Sequence, residues 1–392
     1  MPVFRAWWLG SQTSNAGSWM QQVAAAWLMY EATRSPAMVG VLGLAQRGPS
    51  LLLTPLGGRL ADRHDRRRVL AANLALQLVA AAGLTLMARS GGASPTALIA
   101  FSAATGIGQA LMWPSQMATI SSLVSREALP AAVSLNSAGF NLSRVIGPAV
   151  AGLLLDLGQP TICFAANALS FVAPLWIAVA VLPAASAGTR SSTATVRGAL
   201  RHVAGSPALR RLLVGCAVFT LSAAPLTVLT PPYAHAVGGG ADVLGYLLAA
   251  FGAGAVGGAT LVVAGGRRLG RARLIPAAMA AFAVLDVAAA LAPGPLVAAV
   301  VCALAGICWL LVFSSTNAAV QLLTSDIVRG RVLALYLWTL IGPMAISGIA
   351  VGGLAEVVGI RTAFAACALP LGIYAVYALL RPVHAIDEGI DA

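Results

Sequence analysis

The sequence predicts an all-α polytopic membrane protein: twelve transmembrane helices in two six-helix bundles, with both termini cytoplasmic. Three observations lead there. The 392 residues are 59% hydrophobic and only 9% charged, whereas soluble domains draw about a quarter of their residues from charged types. Apolar stretches recur at the length of about 20 residues that a helix needs to cross a hydrocarbon core about 30 Å thick. The charge that is present gathers in short joints, as in residues 57–70, "GGRLADRHDRRRVL", where five arginines and two aspartates fall in fourteen residues.

Taken in order, span 1 (about 8–30) carries Ser11, Asn15, Ser18 and Gln22 at steps of four, three and four, which is one helical face, with Trp19 beside it. Span 2 (37–61) holds Arg47 at mid-span, just before Gly48 and Pro49. A charge at the bilayer centre costs about 2.5–3.5 kcal/mol on insertion scales, so Arg47 should face water or a partner. Span 3 (69–89) follows the charged joint. In span 4 (96–120), Ser102, Thr105, Gln109 and Gln116 share a face, with Trp113 adjacent and Pro114 a possible kink. Span 5 (129–156) lines up Ser134, Ser137, Asn141 and Arg144 ahead of Gly147 and Pro148. Span 6 (160–182) closes the first half, 1–182.

A Ser-, Ala- and Thr-rich connection, 183–208, is the longest in the chain and reads as a cytoplasmic linker. The second half, 209–392, ends in a short tail. Its span 7 (209–233) offers Thr220, Ser222, Pro225 and Thr227. Span 8 (242–265) leads into a second basic joint, "GGRRLGRARL" at 265–274. Span 9 (274–292) contains Asp286, the one carboxylate well inside a span. Span 10 (295–322) spaces Ser314, Asn317 and Gln321 on one face below Trp309, and spans 11 (330–355) and 12 (361–381) complete the set. Amides inside hydrocarbon need partners or water. The Ser and Thr residues suit ordinary interhelical hydrogen bonds; Asn15, Gln22, Gln109, Asn317 and Gln321 suit a wet cavity.

Every one of the 24 basic residues is arginine. With the N-terminus inside, nineteen fall on cytoplasmic ends and loops, three on the other side, and Arg47 and Arg144 within spans. Arginine-rich loops stay in the cytoplasm. The net charge of +12 therefore faces the anionic inner leaflet, and no nucleic-acid site is needed to explain it. The halves also resemble each other at a shift of 200 residues. "SQMATISSLVS" (115–125) lies over "STNAAVQLLTS" (315–325), Gly152 meets Gly352, and Gly57 and Gly58 meet Gly257 and Gly258. Repeated bundles around a midplane site are a transporter architecture.

The joint at 57–70 has two readings. Asp62, Arg63, Arg66 and Arg67 form a set of charged contacts that holds one conformation closed, or they form a positive-inside anchor alone. "GGRLADRHDRRR" resembles the loop signature of the major facilitator superfamily. Gly58, Leu60, Asp62, Arg63, Arg66 and Arg67 fit it, and Asp65 stands where the signature has a second glycine. The opening 40 residues and "LVSREALPAAVSLNSAGFNLSRVIGPAVAG" (123–152) are similar to a bacterial exporter branch that includes enterobactin-type siderophore exporters and macrolide-efflux-type proteins. This resemblance implies that spans 1, 4, 7 and 10 line a central cavity. It implies that the joint gates alternating access, and that export is driven by proton antiport.

The expected function is export of amphiphilic small molecules, siderophore- or drug-like, across the bacterial cytoplasmic membrane by a monomer exchanging them for protons among membrane lipids. Arg47 and Arg144, with Asn15, Trp19, Gln22, Gln109, Trp113, Gln116, Asn141, Asn317 and Gln321, are the candidate cavity residues. They favour neutral or anionic cargo. Asp62 and Asp286 are the candidate proton carriers. An uptake symporter or facilitator, and a transport-inactive receptor or assembly partner, are the alternatives. The five cysteines lie within apolar spans without metal-ligand or disulfide patterning. There is no phosphate-binding loop, zinc-protease helix or hydrolase elbow. No enzymatic activity, cofactor or metal is expected, and no cleavable signal peptide.

Overall fold

A computed structural model describes residues 2–182, 196–383 and 386. Regular structure among them is helical throughout. The first six helices are α1 (Pro2–Thr33), α2 (Pro36–Arg63), α3 (Arg66–Arg89), α4 (Pro95–Leu123), α5 (Leu129–Asp156) and α6 (Pro160–Ala180). After the linker come α7 (Val196–Gly205), α8 (Pro207–Ser222), α9 (Ala224–Thr227), α10 (Thr230–Ala236) and α11 (Ala241–Leu269). The last four are α12 (Arg271–Leu291), α13 (Pro295–Leu322), α14 (Asp326–Val358) and α15 (Ile360–Leu380).

The helix ends follow from local chemistry. Proline stands in the first turn of α4, α5, α6, α8 and α13, where a missing N–H costs nothing and φ is already helical. The Ser94 and Ser206 hydroxyls accept from the N–H groups of Ala97 and Leu209 at 3.4 and 3.3 Å and so cap α4 and α8. Gly270 and Gly359, at φ +71° and +81°, separate α11 from α12 and α14 from α15, conformations that glycine alone adopts freely.

Nine described helices, α3–α6 and α11–α15, are long and apolar enough to cross a bilayer. The continuous helix expected over 209–233 is broken into α8, α9 and α10. Pro225 has no N–H to continue the ladder, and Pro231 and Pro232 open a new helix instead. The connection read as a linker contains α7, whose residues 196–205 alternate basic and apolar faces. Residues 183–195 lie outside the described set.

The chain packs as two units. Unit 1 comprises Met1–Arg34, Val41–Ser191 and Gly240–Ala249. In it α3 lies on α4 and α6, and α1 lies on α5 and α6. Its core gathers Trp7, Leu70, Leu74, Met112 and Phe171. Unit 2 comprises Ser35–Gly40, Ser192–Gly239 and Ala250–Ala392. There α12 lies on α13 and α15, and α14 lies on α8 and α15.

Close backbone approach at glycine recurs in both units. In unit 1 a Cβ on Gly106 of α4 would overlap the Gln46 carbonyl of α2, and one on Gly57 would lie 2.9 Å from Leu111 Cα. In unit 2 a Cβ on Gly306 of α13 would overlap the Phe251 carbonyl of α11, and one on Gly254 the Ala303 carbonyl. Gly106 and Gly306, at equivalent positions of the 200-residue repeat, thus do the same job. The first turns of α2 and α11 are held the same way. Within unit 1 Gly245 meets Gly152, and within unit 2 Gly40 meets Gly348. Ser35 also donates its hydroxyl to the Glu356 carboxylate. Small residues let helices approach where lipid supplies no hydrophobic drive for them to associate.

These contacts make a direct prediction. Gly306→Ala should destabilise the protein by about 1–3 kcal/mol through overpacking. Gly353→Ala, which meets nothing within 4 Å, should be neutral or stabilising by about 0.5–1 kcal/mol. Thermal unfolding of the two variants in one detergent checks the difference, and equal melting temperatures would refute it.

Candidate functional site

The polar residues of α1 become three clusters in unit 1. The first is fully packed. The Gln21 amide, 3% exposed, donates to Thr105 Oγ1 at 3.4 Å and accepts from Asn167 Nδ2 at 2.8 Å. Thr105 in turn donates to the Phe101 carbonyl at 2.9 Å. Gly17 makes room for this network, since a Cβ there would lie 2.6 Å from Asn167 Oδ1. The second cluster joins α1 to α5. Gln12 donates to Asn136 Oδ1 at 3.2 Å, Asn15 donates to Gln12 Oε1 at 3.3 Å, and Ser143 donates to the Gln12 carbonyl at 3.0 Å.

The third cluster is cationic. The Arg144 guanidinium lies 5.5 Å from the centre of the Trp19 ring, within range of a cation–π attraction. Trp19 also meets Phe140 edge-on at 6.2 Å. Arg47 is within electrostatic range of Arg144 and has no hydrogen-bond or ion-pair partner among the described residues. Glycine sets two of the helix contacts around this cluster. A Cβ on Gly147 would lie 2.5 Å from the Ala16 carbonyl and 2.7 Å from Trp19 Cβ, so its absence lets α5 lie on α1 beside the indole. Gly106 seats α4 on the residue next to Arg47.

The other expected cavity residues are distributed along their helices. Asn15 and Gln116 are buried, and Gln22 and Gln109 are half-buried. Asn141 is exposed and donates to the Ser137 carbonyl of its own helix at 2.9 Å. In unit 2 Gln321 donates to Asn317 Oδ1 at 3.0 Å along α13. Trp309 packs against Phe219 and Phe251 at 5.4 and 6.1 Å. The side chain of Trp113 lies outside the described residues.

Of the charged joint, Gly58 and the side chains of Asp62, Arg63 and Arg66 also lie outside what is described. Asp65 is described. It sits at φ −57° and caps α3, accepting from the Arg67 N–H at 3.0 Å, with its other oxygen 3.8 Å from Arg67 Nε. The turn therefore needs no left-handed residue, and an acid that caps a helix serves where the signature has glycine. In unit 2, Asp286 of α12 is 0% exposed. Neither of its carboxyl oxygens has a hydrogen-bond partner among the described residues, and the Cys367 thiol of α15 is within its electrostatic range.

Gln12, Gln21, Asn136 and Asn167 were not among the candidates read from the sequence. Asn167 carried a usable signal: it is an isolated amide in an apolar helix, "FAANALSF", and an amide there has to find a partner.

Comparison with known proteins gives consistent matches. The family model described as "Transmembrane secretion effector" matches residues 1–391. The chain is 28% identical over 386 residues to the multidrug efflux pump Tap of Mycolicibacterium fortuitum, covering 94% of this chain and 93% of that one. It is 28% identical over 156 residues to the staphyloferrin A transporter of Staphylococcus aureus, an alignment spanning 40% of this chain and 39% of the relative. Among solved structures, the fold is similar to a bacterial homologue of the human lysosomal transporter Spinster, with TM-score 0.76, 17% identity and coverage of 99% and 97%. It is also similar to a bacterial homologue of the iron transporter ferroportin, with TM-score 0.75, 18% identity and coverage of 97% and 99%.

The buried amide network sets a stability expectation. Asn167→Leu strands the Gln21 amide and should cost about 1–3 kcal/mol, the desolvation penalty of an unsatisfied buried group. Ser137→Ala, which removes no described partner of that network, serves as the control. Melting curves of the purified proteins report the difference.

Proposed function

Since the chain belongs to the transmembrane secretion effector family of the major facilitator superfamily, a family of transporters rather than enzymes, we propose that it exports amphiphilic small molecules by alternating access. On this reading residues 1–182 and 209–392 are the two six-helix bundles, with both termini in the cytoplasm of a bacterial inner membrane. The relatives support a transport reading: one is named a multidrug efflux pump, which favours export, and the other a staphyloferrin A transporter.

One observation carries the substrate class. Arg144 lies beside Trp19 with Arg47 in its electrostatic range, and Arg47 has no partner among the described residues. Two guanidinium groups within a bilayer repel each other and are costly unless an anion or water meets them. A carboxylate-bearing amphiphile answers both requirements. Its acid groups engage the planar guanidinium forks in bidentate fashion, and its apolar body lies on the indole. A cationic drug would add a third positive charge to the same place. The preferred cargo is therefore anionic, with neutral amphiphiles next.

Proton antiport is assigned to Asp286, with Asp62 as the alternative carrier. A carboxyl that carries a proton in the membrane must not be held ionised by a fixed cation. Asp286 meets that condition among the described residues.

Two variants test this in proteoliposomes under an imposed pH gradient. Arg144→Gln should lower uptake of a carboxylate-bearing probe at least tenfold, the loss expected for a charge-assisted hydrogen bond of about 1.5–3 kcal/mol, while membrane abundance stays at the wild-type level. Wild-type transport by that variant would remove the arginine pair from the site. Asp286→Asn should abolish the response to the gradient and leave gradient-free exchange of the probe intact. A full response would exclude Asp286 as the carrier.

A further inference from the structure

Unit 2 contains a partly open cleft between α8, α12 and α15, near the start of α8 and of α12 and the end of α15. Its floor is apolar, formed by Leu212, Ile275, Pro276 and Met279. Arg211 and Arg271, both half-buried, stand in its wall. Arg210, Arg273 and Arg381 are exposed on the same helix ends or just beyond. Among the described residues, no carboxylate lines the cleft.

Arg211 is held in place before any ligand arrives. Its carbonyl accepts from the Tyr374 hydroxyl at 2.6 Å. Its guanidinium donates to the Arg381 carbonyl and, at 3.4 Å, to the Tyr377 hydroxyl, and it lies 5.1 Å from the centre of the Tyr377 ring. A guanidinium has five donors, so this anchoring uses only part of its capacity. A pre-oriented arginine loses little side-chain freedom on binding. Across the cleft α12 begins at Arg271, and the positive end of that helix dipole adds to the arginine charge. The side chain of Ile386, 7% exposed, also lines the cleft.

We infer that this cleft binds a negatively charged phosphate group, of the kind an anionic phospholipid presents at headgroup depth. The planar forks of Arg211 and Arg271 match phosphate oxygens bidentately, and the apolar floor takes the glycerol and the first methylenes of an acyl chain. α12 and α15 are long and apolar enough to span the bilayer, and the arginines lie at their ends, where headgroups sit. A free phosphate would use the guanidinium forks and leave the floor unused. This site is separate from the Arg47–Arg144 cluster, which belongs to unit 1, and does not depend on the substrate assigned there.

The test uses the purified full-length chain in detergent, with bound lipid counted by native mass spectrometry. Phosphatidylglycerol is titrated against phosphatidylcholine of the same acyl chains, with inorganic phosphate as a competitor. Phosphatidylglycerol should bind selectively, and Arg271→Gln should weaken it about fivefold, the contribution of one basic residue at an anionic lipid surface. Ala378→Phe leaves every arginine in place and fills the cleft; it should weaken binding at least as much. Competition by millimolar inorganic phosphate would keep the phosphate site and identify soluble phosphate as its source. Equal binding of the two lipids, or wild-type affinity for phosphatidylglycerol in either folded variant, would overturn the assignment.

Discussion

Glycine is the constraint on which the arrangement depends. In hydrocarbon, acyl chains are as apolar as leucine, so helices gain little by hiding side chains from lipid and associate through close packing and hydrogen bonds. Close packing requires positions without a Cβ. Gly106 and Gly306 let one helix rest on another's main-chain carbonyl in each unit. Gly147 does the same between α5 and α1, and only because of that does Arg144 reach the Trp19 ring. The arginine–tryptophan contact of unit 1 is thus set by residues that carry no side-chain functional group.

The polar groups brought in by these contacts divide into two kinds. Asn167, Gln21 and Thr105 form a run of bonds that ends on the Phe101 carbonyl, and such a network specifies helix register at modest net energy. Arg47 and Asp286 are the opposite case, since no described residue answers either one. A protein tolerates uncompensated groups in its interior chiefly where function requires them.

Much of this was legible in the sequence. The apolar spans, the basic joints and the two intramembrane arginines follow from composition and from the cost of burying charge. The amide faces were visible as periodicity, but their partners were not. Gln22 lies on the regular polar row of α1, yet Gln21, one position earlier and about 100° around the helix, makes the buried bonds. Periodicity reports which face is polar and not which neighbour waits there. The break of span 7 was signalled by Pro225, Pro231 and Pro232 and hidden by the apolar residues around them. Asp65 departs from the superfamily's loop signature, and its capping role depends on a backbone angle that spacing does not reveal.

The division of the chain has a consequence for biogenesis. The first turns of α2, residues 35–40, belong with unit 2, and Ser35 bonds to a carboxylate 321 positions further along. At a synthesis rate of about 5–20 residues per second, that partner leaves the ribosome roughly 16–64 s later. For that interval the start of α2 is inserted without its final neighbour, along with the bare glycine surface at Gly40. This is the stage at which insertase or chaperone contact with the nascent protein would be most useful.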